Sequence, residues 1–164
     1  MNMESIFIVE RVKKIKIGNK IGYKIERHKM KTEHLDRGIK VYPIDEQTGD
    51  IMGEVWFEMF KDGSSLDPRY RNMTRIFSIE TYPNFQNHQV GGAMLDVVEY
   101  MSFKNGIYHI DGLYAPSNQF AEKMYRRNGY VIEDDYGEDK IVKTLTECPT
   151  NVTEIKGQKI EKEK

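Results

Sequence analysis

Cysteine is nearly missing. Cys148 is the one thiol in 164 residues, and a single thiol closes no internal disulfide, so the reducing cytosol is the expected compartment. Cys148 stands in a polar stretch behind the last patterned segment, a poor position for a catalytic nucleophile. No apolar run approaches the roughly 20 residues that a helix needs to cross a bilayer, and the first residues hold no apolar core of the signal-peptide kind. No membrane partner is expected. Charge of one sign is lacking too: 25 basic against 26 acidic side chains leave a formal charge of −1, so a broad electrostatic grip on nucleic acid is not expected. His28, His34, His88 and His109 have no paired spacing of the kind that holds zinc, and no metal site is expected. Alanine does not occur before Ala93, and no strong helical period appears over that stretch.

What is present upstream of Ala93 reads as strands. The chain is long enough to bury a core without staples and short enough to be one domain. Ser5 to Val9 is a short apolar run. Lysine and isoleucine alternate from Lys14 to Lys24 around Gly18-Asn19, the pattern of a two-stranded hairpin. Its charges, with Arg11, Lys13, Lys16 and Lys20, read as a solvated strand face. Glu26 to Asp36 is the one polar stretch here with room for a helix. Gly38 to Tyr42 and Ile51 to Phe60 alternate around a turn-rich Asp45 to Asp50, which predicts a second hairpin. Lys61 to Arg71 reads as a loop and Arg75 to Thr81 as the next strand.

Downstream, apolar side chains at 90, 94, 97, 98 and 101 predict a helix from Val90 to Phe103, with Gly106 as its stop. Tyr108 to Tyr114 is a strand. Ser117 or Asn118 caps a second helix that Gly129 ends. Tyr130 to Glu133 and Ile141 to Leu145 form a last hairpin around the acidic tip Asp134, Asp135, Glu138 and Asp139. Residues 1–145 are read as a single domain and 146–164 as a disordered charged tail. The element order is α+β around a mixed sheet.

The turn before the first helix carries Gly91 and Gly92 at its end. A helix start offers unpaired N–H groups and the positive end of a dipole, which suits phosphate. A residue without Cβ lets that backbone approach a ligand. The same pair serves equally well in a tight strand-to-helix connection. In the second helix, Tyr125 shares the Phe120, Ala121 and Met124 face, and spacing alone reads it as core.

Two segments together go further. Gln86-Asn87-His88-Gln89-Val90-Gly91, with Pro83-Asn84-Phe85 ahead and Met94-Leu95 behind, resembles the coenzyme loop of the GNAT acetyltransferases, Gln/Arg-x-x-Gly-x-Gly/Ala. Asn118, Ala121, Met124, Tyr125, Gly129 and Tyr130 resemble that family's second motif, Asn-x-x-Ala-x-x-aromatic/Met-Tyr-x-x-x-Gly-aromatic. One loop position departs: the family's first glycine is Gln89 here. A shifted frame, His88-x-x-Gly91-x-Ala93, restores a glycine but misplaces Pro83 and the Met94-Leu95 pair.

The resemblance implies a GNAT-like α+β fold, a mixed, mostly antiparallel twisted sheet flanked by helices. It implies an N-acetyltransferase that moves acetyl from acetyl-CoA, its cosubstrate, directly to a primary amine on a small molecule or a protein. It assigns the coenzyme to Gln86, Asn87, His88, Gln89, Val90, Gly91, Gly92 and Asn118, and the acyl carbonyl to backbone N–H groups around Ile79, Glu80 and Thr81. Tyr125 would protonate the leaving thiolate and Glu80 would take the proton of the amine. Strand alternation alone makes Glu80 a solvent-facing residue on the face opposite Ile79 and Thr81, unless a bulge changes the phase. His109 and Asp111 share a face of the next strand and form a second polar candidate. The acidic tip is a solvated turn that would also tolerate a cationic amine.

The resemblance covers residues 75–145, and the hairpin within 38–60 suits it. Residues 1–37 are divergent, because the family has two helices where this chain alternates lysine with isoleucine. Gln89 and the want of an unambiguous base leave a rival reading open, a catalytically inactive GNAT-fold binding module. An RNA-acetylating toxin is disfavoured by the near-neutral charge. A homodimer is left open.

Overall fold

The computed structural model describes residues 5–61, 72–86, 89–113, 119–135 and 138–156. The expected loop after Lys61 and the cap at Ser117 or Asn118 lie outside them. Nine strands and two α-helices follow one another: β1 (Ser5–Ile17), β2 (Lys20–His34), β3 (Ile39–Ile44), β4 (Gly53–Phe60), β5 (Met73–Thr81), α1 (Val90–Lys104), β6 (His109–Leu113), α2 (Gln119–Arg127), β7 (Val131–Asp135), β8 (Glu138–Thr144) and β9 (Val152–Lys156). A 3-10 turn at Pro83–Phe85 leads into α1. The strands form one sheet in the order β7-β8-β6-β5-β4-β3-β2-β1-β9. Every pairing is antiparallel except that of β5 with β6.

The sheet curls around α1, which packs against β1 to β5 and β9. That helix is buried on most of its surface, with Ala93, Met94, Leu95, Val97 and Val98 fully enclosed. Each large apolar side chain hidden this way stabilises the fold by about 1.5–3 kcal/mol. Phe7, Val9, Met30, Val41, Val55, Phe57 and Ile76 meet it from the sheet. Both helices end at glycines with positive φ, Gly106 at 76° and Gly129 at 90°, which are the stops the sequence marks.

Two expectations are overturned. Glu26 to Asp36 holds no helix; β2 runs through it to His34. Its inward residues are His28, Met30 and Thr32, all buried, while Arg27 and Lys31 are exposed. The period of two was disguised because two of the three inward side chains are polar. The tail is not disordered from residue 146 either. β9 pairs with β1 from Ser5↔Lys156 to Val9↔Val152, and Asn151 Nδ2 donates to Glu10 O at 3.0 Å. An edge strand with one buried apolar side chain, Val152, draws its stability from the backbone ladder, which composition does not reveal. Residues 157–164 lie outside the described part.

The β1–β2 ribbon outruns its neighbours. β9 reaches only Val9 on one side and β3 only Lys29 on the other. The pairs from Arg11↔Glu26 to Ile17↔Lys20 therefore project as two strands alone, on the order of 20 Å at 3.3 Å per residue. This ribbon occupies the stretch where the resemblance calls for helices.

Candidate active site

The site is built where β5 parts from β6. Their parallel pairing covers only Thr74↔Ile110 to Ile76↔Gly112, although β5 continues to Thr81. Just past that point the register against β4 shifts: Phe57 faces Ile76 and Trp56 faces Ser78, so Phe77 is an extra residue. This bulge keeps both Ile76 and Ile79 on the core side, three positions apart. It also turns Phe77 out to stack on Trp56, with ring centroids 4.7 Å apart. Ile79 and Thr81 thus look towards α1, and Thr81 Oγ1 lies 3.5 Å from a Cβ built on Gly91.

Glu80 points the other way. It is exposed and directly opposite Glu54 on β4. Burial, then the charges of Glu54 and Glu80 and a hydrogen bond to Glu54, push the pKa of the neighbouring Tyr82 phenol above its usual value. Glu54 is also 3.5 Å from Lys40 Nζ. These side chains form a polar cluster on the face away from α1. Because β5 and β6 part beyond Ile76 while β5 stays on β4, a group held between β5 and β6 can be reached from both faces.

On the α1 side lies a cleft of about 880 Å³. Its floor is the start of α1, Gln89 to Gly92, with Thr81 and Gln86 beside it; α2 contributes Phe120, Lys123, Met124 and Arg127, Asn128 follows it, and the ribbon contributes Glu10 to Lys13. Gln89 is the residue before the helix and sits at φ 58°, ψ 20°, the left-handed region that only glycine enters without cost. Its side chain makes no capping hydrogen bond. The first backbone hydrogen bond into the helix runs from Ala93 N to Gln89 O at 3.0 Å. Among the described residues the amides of Val90, Gly91 and Gly92 have no acceptor. A helix start that is buried and uncapped is prepared for an anion.

Both glycines are also places of close approach. A Cβ on Gly91 would stand 3.2 Å from Met124 Cγ and Sδ, and one on Gly92 would stand 1.8 Å from Arg11 Nη1. Arg11 is held by Asp96 Oδ2 at 2.9 Å and Asn128 Oδ1 at 2.7 Å. Sequence reasoning read Arg11 and Lys13 as a solvated face; they line the cleft instead. Nothing local marks them, because the ribbon reaches α1 through tertiary curl.

Tyr125 is buried, with 2% of its surface exposed. Its ring lies 5.6 Å from that of Tyr130. Burial pushes the phenol well above its usual range, so it stays protonated at neutral pH. It is not among the residues lining the cleft, although its chain neighbour Met124 is. Asn87, His88 and Asn118 lie outside the described residues. Asp111 is taken up by Arg75, whose Nε donates at 3.0 Å, while His109 is exposed, so this pair forms no second site. Behind the cleft, Lys143 Nζ, Tyr130 OH and the Glu99 carboxylate form a buried network with contacts of 3.0–3.1 Å. Lys143 also donates to Asn128 O at 2.9 Å.

Known proteins share this fold. No curated protein matches the sequence. Among solved structures, the chain is similar to the PaiA N-acetyltransferase from Thermoplasma acidophilum in complex with coenzyme A, with 16% identity and a TM-score of 0.54 over 65% of this chain and 60% of that one. It is similar to an acetyltransferase of the GNAT family from Staphylococcus aureus at 15% identity and a TM-score of 0.55, over 66% of this chain and 68% of that one. It is also similar to the GNAT domain of S. lividans PAT, at 16% identity and a TM-score of 0.56, over 68% and 64%. At these identities the likeness is one of fold, and the chain spans 60% of the length of the Thermoplasma protein. The sequence model of the acetyltransferase (GNAT) family matches residues 12–130, and the chain belongs to that family.

Proposed function

We propose that this protein is an acyltransferase that uses acetyl-CoA and passes the acetyl group directly to a primary amine. The observation that carries the reading is the uncapped start of α1, three free amides opening into a cleft whose lining includes four cations, Arg11, Lys13, Lys123 and Arg127. Family membership and the fold shared with a coenzyme A complex support it. Gln86 and the residues from Gln89 to Gly92 would hold the diphosphate, and the family motifs assign Asn87, His88 and Asn118, outside the described residues, to the same coenzyme. Backbone groups around Ile79 to Thr81, released from β6, would anchor the acyl carbonyl.

Direct transfer needs one proton removed from the amine and one given to the thiolate. The neutral phenol of Tyr125 suits the second task, and its burial makes it a reluctant acid whose donation depends on close approach of the sulfur. Glu80, with Glu54 opposite, suits the first from the far face of the sheet, directly or through water. Two carboxylates there favour a cationic acceptor. The acidic tip, with Asp134 facing Asp139 across β7 and β8, is a second anionic feature of the fold.

Calorimetry with acetyl-CoA tests the reading, joined to thiol release in the presence of an amine panel. Uptake by the native protein and none by Gly91→Glu, which sets a carboxylate against the amides, is the expected outcome. Native protein that takes up no coenzyme at high micromolar concentration refutes it; binding without thiol release favours the inactive binding module.

A further inference from the structure

We propose that Arg11, delivered by the projecting β1–β2 ribbon, is a phosphate ligand of this cleft and determines its preference for a diphosphate-bearing cosubstrate. The inference rests on the coenzyme reading above and assigns a residue that neither motif contains.

The guanidinium is fixed from two sides. Nε donates to Asp96 Oδ2 at 2.9 Å and Nη2 to Asn128 Oδ1 at 2.7 Å. Both acceptors are themselves held: Asn151 Nδ2 donates to Asp96 Oδ2 at 3.0 Å, and Asn128 Nδ2 donates to Met124 O at 2.7 Å. Nη1 is left over. It lies above Gly92, 1.8 Å from the place a Cβ would occupy, and it has no acceptor among the described residues. Its N–H groups and the free amides of Gly91 and Gly92 therefore serve the same space.

This arrangement is poorly balanced without an anion. A cation beside the positive end of a helix dipole is unfavourable, and Asp96, which offsets the charge of Arg11, leaves the helix end and the remaining cations without an anion of their own. Lys123 and Arg127 line the same cleft, as does Lys13, which is 3.8 Å from Glu26, against Glu10 as the one lining carboxylate. A diphosphate would meet the planar fork of Arg11 and the backbone donors together, the geometry for which arginine is better suited than lysine. Gly92 is then required for two reasons, since a side chain there would displace the guanidinium as well as shield the amides.

The competing account makes Arg11 a rivet that only ties the ribbon to α1 and α2. Calorimetry with coenzyme A on native protein, Arg11→Met and Arg11→Lys separates the two, with melting curves of each and competition by inorganic diphosphate. The expected result is a loss of roughly tenfold to hundredfold in coenzyme affinity for Arg11→Met, the worth of a charge-assisted hydrogen bond. Arg11→Lys should fall between. Diphosphate should displace coenzyme A from the native protein and lose that ability against Arg11→Met. A folded Arg11→Met that binds within twofold of native overturns the proposal; if that variant does not fold, Arg11→Lys binding as tightly as native overturns it. Native protein that binds no coenzyme A refutes the acyl-transfer reading instead, and diphosphate binding that Arg11→Met abolishes would still stand for this site.

Discussion

Replacing Gln89 by glycine and, separately, by alanine isolates the cost of the turn into α1. At φ 58° the backbone sits in the left-handed region, which costs a residue with Cβ about 1–2 kcal/mol. Alanine keeps that cost and removes only the side chain, which caps nothing. Glycine removes the cost but adds about 0.4–1 kcal/mol of freedom to the unfolded chain. The difference leaves Gln89→Gly about 0.5–1 kcal/mol more stable than Gln89→Ala. For a chain of this length that is roughly 1–4 °C in melting temperature. Differential scanning calorimetry of the two variants reads it directly. Coenzyme affinity of Gln89→Gly should equal or exceed that of the native protein, since the cleft gains room. A glycine variant that melts below the alanine variant would mean that the left-handed turn is not the reason glycine suits this position.

Other perturbations bear on the buried network and the chemistry. Lys143→Met leaves the Glu99 carboxylate, 8% exposed, without its cation and should destabilise by about 3–5 kcal/mol in urea titration; full stability in that variant would deny the pair any structural role. Burial raises the Glu99 carboxyl above 4.5 in the folded state, against the pull of Lys143 and Tyr130. The stability it confers is complete below pH 4.5 and is lost as pH rises through the raised value. The native protein should therefore lose stability relative to Glu99→Gln between pH 4.5 and neutrality, and a constant gap counts against the shift. Tyr125→Phe should lower turnover at least tenfold, the low end for general acid catalysis being about a hundredfold, with coenzyme affinity nearly unchanged; an unaltered rate removes Tyr125 as the acid. Glu80→Gln should slow transfer most at low pH, where little free amine is present, while Glu54→Gln should raise the KM for a cationic acceptor; identical profiles for both would show that neither acts as a base.

From Gly38 to Leu145 the elements were legible because local signals agree with the fold. Gly106 and Gly129 stop helices, Asp45 to Asp50 turns a hairpin, and the spacing of Val90, Met94, Val97 and Val98 names the face that the sheet covers. The bulge at Phe77 was foreseeable only as a family habit, since Ser78 and Glu80 alternate with Phe77 and Ile79 as in a regular strand. β9 was illegible, because an edge strand needs a neighbour rather than an apolar pattern. Within the site, Gly91 and Gly92 could be found from the turn, but their closest neighbours, Met124 and Arg11, are set by tertiary contact.

The ribbon explains why the first third resists reading. Its two faces have different partners. Arg11 and Lys13 stand on the side of Glu26 and turn to the start of α1, whereas Val12 pairs with Ile25, and Tyr23 and Ile21 continue that outer row. Those four apolar side chains are 55–70% exposed. Four residues that look like core by type are therefore outside, and Arg11 and Lys13, which look like surface, line the cleft. Two strands alone are marginal in water, so the ribbon's position depends on what its inner face grips. In the structure that grip is Arg11 on Asp96 and Asn128. The same side chain that anchors the ribbon to the helices is thus the one presented to the cleft, and the part of the chain least like the family is tied directly to the part most like it.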